Sequence, residues 1–147
     1  MCTPFLFNYS GKPWLAQKWS RAILDSFYGS TPYHGWEGDE DEGQMGGWYV
    51  MSALGLFEMN GGVSLKPELE LSSPLFNKIT IRLDPGYYKG KTFTIEARNN
   101  SKENIYIQKA YLNGKELKQP RIPFAAIVSG GTLLLEMGDK PKFDCFN

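Results

Sequence analysis

"GDEDEGQMGGWYVMSALGLF" (residues 38–57) joins two unlike kinds of chemistry in one short run. Five of the six residues from Glu37 to Glu42 are carboxylates, and from Gln44 onward the chain is apolar almost without a break. At helical spacing Met45, Trp48, Tyr49 and Leu56 mark one face, while Val50, Ala53, Leu54 and Phe57 cover most of the rest. A helix with so little polar surface is a buried helix. The stretch 44–59 therefore predicts an inner helix of a larger helical assembly, which two helices alone cannot bury. The acidic run reads as the loop that leads into it. Carboxylates are favoured there by the free N–H groups and by the helix dipole.

Upstream, "GKPWLAQKWSRAILDSFYGSTP" (11–32) predicts another helix. Pro13 suits a first helical position. Leu15, Trp19, Ala22, Ile23 and Phe27 fall on one face, and Trp14 and Trp19 read as core. Gly29 and Pro32 are stop signals. Downstream the period changes. "KITIRL" (78–83), "TFTIEAR" (92–98), "IYIQKAYL" (105–112) and "TLLLEM" (132–137) alternate as strands do. Turn signals at 84–86, 99–101, 113–114 and 129–131 separate them, and Asn113-Gly114 predicts a tight hairpin. The expected fold class is α+β: helices to about residue 60, then an antiparallel β-sandwich over residues 61–147.

The totals narrow the functional classes. At 147 residues the chain can bury a real core, and its formal net charge of zero argues against nucleic acid or an anionic membrane as main partner. No apolar run is long enough to span a bilayer. The start, "MCTPFLFNYS", lacks the basic and apolar regions of a signal peptide. It reads like the interior of a domain, with the native protein expected to continue upstream. Cys2 and Cys145 match neither a zinc motif nor a disulfide scaffold.

Only the acidic loop carries strong chemical content. Glycines at 38, 43, 46 and 47 allow close backbone approach, and Tyr33, Trp36, Trp48 and Tyr49 flank the acids. Acids with aromatics are the usual lining of a sugar site, where carboxylates grip hydroxyls and rings stack on the sugar. Crowded carboxylates also repel, which suits either a general base or a hard cation. Asp39-x-Asp41-x-Gly43 begins like an EF-hand loop but lacks its later ligands. His34, the only histidine, reads as a surface residue. There is no assembled Ser/His/Asp set and no phosphate-cradling glycine motif.

These residues resemble glycoside hydrolase family 92, the calcium-dependent exo-acting α-mannosidases. The likeness rests on Gly38–Val50 with Ser52–Gly55, and on "PFLFNYSGKPW" (4–14), "SSPLFNKITIRL" (72–83) and "NNSKENIYIQKAYLNGK" (99–115). The resemblance implies that residues 1–60 are the last helices of an (α/α)6 catalytic barrel and that 61–147 form a β-sandwich beside it. It implies inverting hydrolysis of terminal α-mannosides, often α-1,2-linked. The general base then falls on Asp41, with Asp39 as second candidate or helper. Glu40 would point the other way if the segment were extended. Trp36, Glu40 and Gln44 are the residues expected to touch the sugar. The acid would be a Glu far upstream, and calcium would take most of its ligands upstream too, so no ligand is assigned here. The partners implied are a mannose-containing glycan, the upstream barrel and an N-terminal β domain of the same protein. The compartment implied is periplasmic or extracellular. Glu42, Gly46 and Gly47 depart from the commoner residues of the pattern, and the two glycines should weaken the helix start by up to about 1 kcal/mol each. An alternative is a non-catalytic carbohydrate-binding or structural sandwich, with Tyr87, Tyr88, Tyr106 and Tyr111 available as sugar platforms.

Overall fold

A computed structural model describes residues 2–40 and 42–146. A short 3-10 turn (Thr3–Phe5) and α1 (Leu6–Tyr9) lead into α2 (Pro13–Phe27), which Pro13 opens as expected. β1 (Tyr28–Thr31) and β2 (His34–Trp36) form an antiparallel hairpin, and α3 (Gln44–Ala53) follows. β3 (Leu56–Phe57), β4 (Glu68–Leu71) and β9 (Arg121–Pro123) make a three-stranded sheet in the order β3-β4-β9. β5 (Lys78–Arg82), β6 (Thr92–Arg98), β7 (Tyr106–Leu112), β8 (Lys115–Glu116) and β10 (Gly131–Gly138) make a five-stranded sheet in the order β5-β6-β10-β7-β8. The short α4 (Phe124–Val128) joins β9 to β10.

The four strands expected from period-2 alternation all form. Asn113 (φ +49°) and Gly114 (φ +79°) make the tight turn between β7 and β8, both in the left-handed region that such a turn demands. The larger sheet is nevertheless mixed, not antiparallel throughout. β10 lies between β6 and β7, parallel to β6 and antiparallel to β7. The chain leaves this sheet after β8, crosses to the smaller one as β9, and returns through α4. A strand that re-enters in this way is free of the hairpin rule that makes neighbours antiparallel.

Helix α3 ends at Ala53, six residues before the expected Met59. Gly55 (φ +76°) turns the chain, and its N–H donates to the Ser52 carbonyl at 2.9 Å. A side chain there would sit about 3.0 Å from Pro74. Leu56 and Phe57 then pair with Leu71 and Glu70 as strand β3. The run reads as one helix because two short, largely apolar segments in series show no break in period.

The buried face of α2 is not the apolar stripe. Ala16, Gln17, Ser20, Arg21 and Leu24 are buried, while Trp19 and Phe27 are 44% and 53% exposed. Polar groups bind this face to the β half. Gln17 Oε1 accepts the Ile107 N–H at 2.9 Å. Arg21 Nη1 donates to the Pro74 carbonyl (2.6 Å), Asn100 Oδ1 (3.1 Å) and Ser73 Oγ (3.4 Å), and Nη2 donates to the Ser101 carbonyl (3.0 Å). Burial lowers the guanidinium pKa, and nearby Asp25 partly opposes this. Asn8 Nδ2, on α1, donates to the buried Glu70 carboxylate at 2.8 Å.

Both sheets feed one apolar core. Leu56, Leu69, Leu71 and Ile122 come from the smaller sheet, and Phe93, Ile95, Ile107, Leu133 and Leu135 from the larger. A second cluster gathers Phe5, Leu24, Trp48 and Phe57, with Phe5 stacked on Phe57 at 4.4 Å. Trp14 is half-buried and meets Phe143 edge-on at 4.7 Å. No helix is long and apolar enough to cross a membrane among the described residues.

Both cysteines are free: Cys2 is exposed and Cys145 buried. Burial pushes the Cys145 thiol up from 9.0 to about 11. Its thiolate is therefore disfavoured in the folded chain, and stability from this group is lost as pH climbs through that window. At pH 8, thiol labelling is expected to modify Cys2 quickly and Cys145 only under denaturant. Equal labelling rates in the native protein would contradict this burial.

Candidate active site

The hairpin β1–β2 folds back against the start of α3. Gly29 makes this possible, since a side chain there would run into the His34 carbonyl across the hairpin. Tyr28 stacks on Trp48 (5.7 Å between ring centroids, 9° between planes) and lies 5.1 Å from Tyr49. Its hydroxyl donates to the Met45 carbonyl at 3.0 Å. Burial raises the Tyr28 pKa, and the negative charge of Glu40 adds to the effect. A small pocket of about 140 Å³ results, lined by Tyr28, Trp36 and Tyr49 with Gly29, Gly35 and Gly46. Aromatic faces here meet glycine backbone, so a flat ligand can approach the main chain closely.

The acidic loop enters α3 through a sharp turn. Glu42 (φ +63°) and Gly43 (φ +86°) are both left-handed, and Gly43 occupies the N-cap position without a side chain to cap the helix. Glu40 does that work from three residues further back. Its Oε1 accepts the Gly46 N–H at 2.9 Å, and its own carbonyl accepts the Met45 N–H at 3.4 Å. Its Oε2 is buried and has no hydrogen-bond partner among the described residues. Helix N-termini leave such N–H groups unpaired, and a carboxylate is their best partner.

Trp36, on β2, is 44% exposed and forms one wall of the pocket. Glu40 does not line this pocket, but it is bonded to Gly46, which does. Gln44, the first residue of α3, is exposed and lines a separate depression with Glu42, Gly47 and Glu58. Asp39 and His34 are exposed. Asp41 lies outside the described residues. Thus Trp36 lines the aromatic pocket, Glu40 is bonded to Gly46 at its edge, and Gln44 lines a separate depression. Tyr28 escaped the sequence reading. Its only signal was an aromatic at the end of a predicted helix, directly before a glycine.

Among the described residues no three histidine, cysteine or acidic side chains converge as a metal-binding group. The described carboxylates of the loop therefore do not fit a calcium cage by themselves. A hard cation needs six to eight oxygens, and one Glu40 oxygen is already taken by Gly46.

Residues 1–139 match the glycosyl hydrolase family 92 catalytic domain. An uncharacterized secreted glycosidase of Arthroderma benhamiae is 36% identical over 136 residues, covering 91% of this chain and 17% of that protein. A family GH92 α-mannosidase of Bacteroides thetaiotaomicron superposes with a TM-score of 0.86 at 32% identity, over 97% of this chain and 18% of its own. That protein has also been solved in complex with mannoimidazole. A GH92 inverting mannosidase of the same organism gives a TM-score of 0.84 at 35% identity, over 98% of this chain and 18% of its own. The chain thus spans less than a fifth of the length of these relatives.

Proposed function

This chain belongs to glycosyl hydrolase family 92, and on that footing we propose that it is part of an inverting, calcium-dependent exo-α-mannosidase. Its substrate would be terminal mannose, α-1,2-linked, on glycans, and the enzyme would be periplasmic or secreted. The observation that carries the proposal is the pocket of Tyr28, Trp36 and Tyr49 beside the acidic loop, with Glu40 anchored on the first turn of α3. Aromatic rings with adjacent carboxylates can seat a sugar ring and activate a water.

Asp41 would be the general base and Asp39 its helper. Trp36 would offer a ring face to the mannose, and Gln44 an amide at the neighbouring edge. Inversion places the acid on the opposite side of the sugar, with the two carboxyl groups about 6.5–9.5 Å apart to admit the water. That acid would come from another part of the intact enzyme. Calcium, which polarises sugar hydroxyls when bound, would likewise draw most of its ligands from there.

Residues 1–60 would then be barrel helices. Trp19, Phe27 and Val50, which are 44–56% exposed, would pack against further helices. Residues 61–147 would form a sandwich that buttresses the barrel.

The test is hydrolysis of an aryl α-mannoside and of α-1,2-mannobiose by the intact enzyme, with calcium and after chelation. The first-formed sugar is expected to be β-mannose by NMR, with turnover lost on chelation. Initial α-mannose would overturn inversion, and full turnover in chelator would overturn calcium. Residues 1–147 alone are expected to give no turnover. A second reading, a glycan-binding module, is favoured by the 84% exposure of Tyr87 next to Tyr88. Glycan binding that survives Asp41→Asn and disappears with Tyr87→Ala would select it.

A further inference from the structure

We propose that the outer part of the β1–β2 hairpin is the subsite for the leaving sugar, with His34 and Thr31 supplying its hydrogen bonds. The proposal rests on the reading of the aromatic pocket as the seat of the terminal mannose.

The pocket has room for one ring. Its volume is about 140 Å³. An apolar cavity of about 150 Å³ holds a single benzene. An exo-acting enzyme draws in the terminal sugar first, so whatever follows that sugar lies at the mouth. The hairpin supplies Tyr28, Gly29, Gly35 and Trp36 of the wall, and α3 supplies Gly46 and Tyr49. Past these residues the two strands run on together to Thr31 and His34, and the chain turns at Pro32 and Tyr33.

The side chains at that end share the face that carries Trp36. Residues paired across an antiparallel ladder stand on the same side of the ribbon, and so do residues two apart on one strand. Tyr28 pairs with Trp36, and Thr31 with His34. The irregularity between Tyr28 and Thr31 takes up the extra residue on β1, which keeps all four on one side. They also adjoin the wall closely. A Cβ at Gly29 would lie 3.7 Å from the His34 Cβ, and one at Gly35 would lie 3.9 Å from the Thr31 carbonyl oxygen. The wall is bare at both glycines, so the first side chains beyond it on this face are those of His34 and Thr31.

Their chemistry fits a sugar. Imidazole and hydroxyl groups each donate and accept hydrogen bonds, as ring hydroxyls do. Both residues are exposed, so neither must be desolvated from a core before it can bind. Trp36, 44% exposed, stands between them and the pocket.

The intact enzyme tests this with two substrates that share the terminal mannose. Hydrolysis of α-1,2-mannobiose releases a sugar, whereas α-mannosyl fluoride releases a single ion with no hydroxyl to hold. The readout is kcat/KM for the first divided by kcat/KM for the second, which cancels any change in how the terminal mannose is held. A lost hydrogen bond between neutral partners is worth about two- to tenfold. The ratio is therefore expected to fall about threefold in His34→Ala or Thr31→Ala, and about tenfold in the double variant.

A ratio in the double variant within about twofold of the unsubstituted enzyme's would overturn the proposal. So would equal losses on both substrates, which would put the two side chains at the terminal mannose or make them props of the wall. If the double variant does not fold, His34→Ala alone decides, and an unmoved ratio overturns the proposal. No turnover of either substrate by the unsubstituted enzyme refutes the pocket reading and this one with it. Turnover of both, with a ratio that neither substitution moves, refutes the hairpin's role alone.

Discussion

Asp41→Asn in the intact enzyme is expected to lower kcat on an aryl α-mannoside by about 10²–10⁴-fold, the usual contribution of a positioned general base. The amide matches the carboxylate in shape but cannot take a proton from the attacking water. KM should stay close to wild type, because the lost interaction matters only in the transition state. The melting temperature should stay close too. The limb of the pH profile that reports ionisation of the base should vanish with the residual activity. Near-normal kcat would remove Asp41 from the mechanism and pass the role to Asp39, exposed in the same loop.

Arg21→Ala is expected to be the most destabilising single change in the helical half. Arg21 is 4% exposed and its guanidinium donates to two backbone carbonyls, Pro74 and Ser101, and to two side chains, Asn100 and Ser73. Hydrogen bonds from a charged donor contribute about 1.5–3 kcal/mol each when broken singly. They are not additive here, because one side chain makes them all. A loss of about 3–4 kcal/mol is expected, with the carbonyls left short of a donor and a cavity beneath α2. For a region of this size that corresponds to a fall of roughly 10 °C in its unfolding transition. Arg21→Lys should recover only part of the loss, since an ammonium cannot span the same fork of acceptors. A shift below about 2 °C in Arg21→Ala would show that α2 is held by its apolar contacts alone.

Arg21 also marks the limit of pattern reading. Leu15, Trp19, Ala22, Ile23 and Phe27 form a sound amphipathic stripe, yet the face packed on the β half carries Gln17, Ser20 and Arg21. Periodicity measures which side of a helix avoids water. It cannot foresee a polar side buried because distant backbone groups need donors and acceptors. Pro74, Ser101 and Ile107, which satisfy that face, lie 53 to 90 residues away along the chain.

Elsewhere local chemistry was enough. Pro13 at the start of α2, the four alternating strands and the Asn113-Gly114 turn were legible because each depends on a few adjacent residues. So was the family to which the chain belongs. What only the tertiary structure decided depends on residues meeting from afar. Such meetings seat the turn after α3, where Gly55 lies against Pro74, thread β10 beside β6, and set Tyr28 against Trp48 to wall the pocket. The same holds over a shorter span for Glu40. Its spacing turned its carboxylate away from its neighbours only if the segment were extended. Only the left-handed turn through Gly43, and the empty space at Gly46, brought that carboxylate onto the helix it precedes.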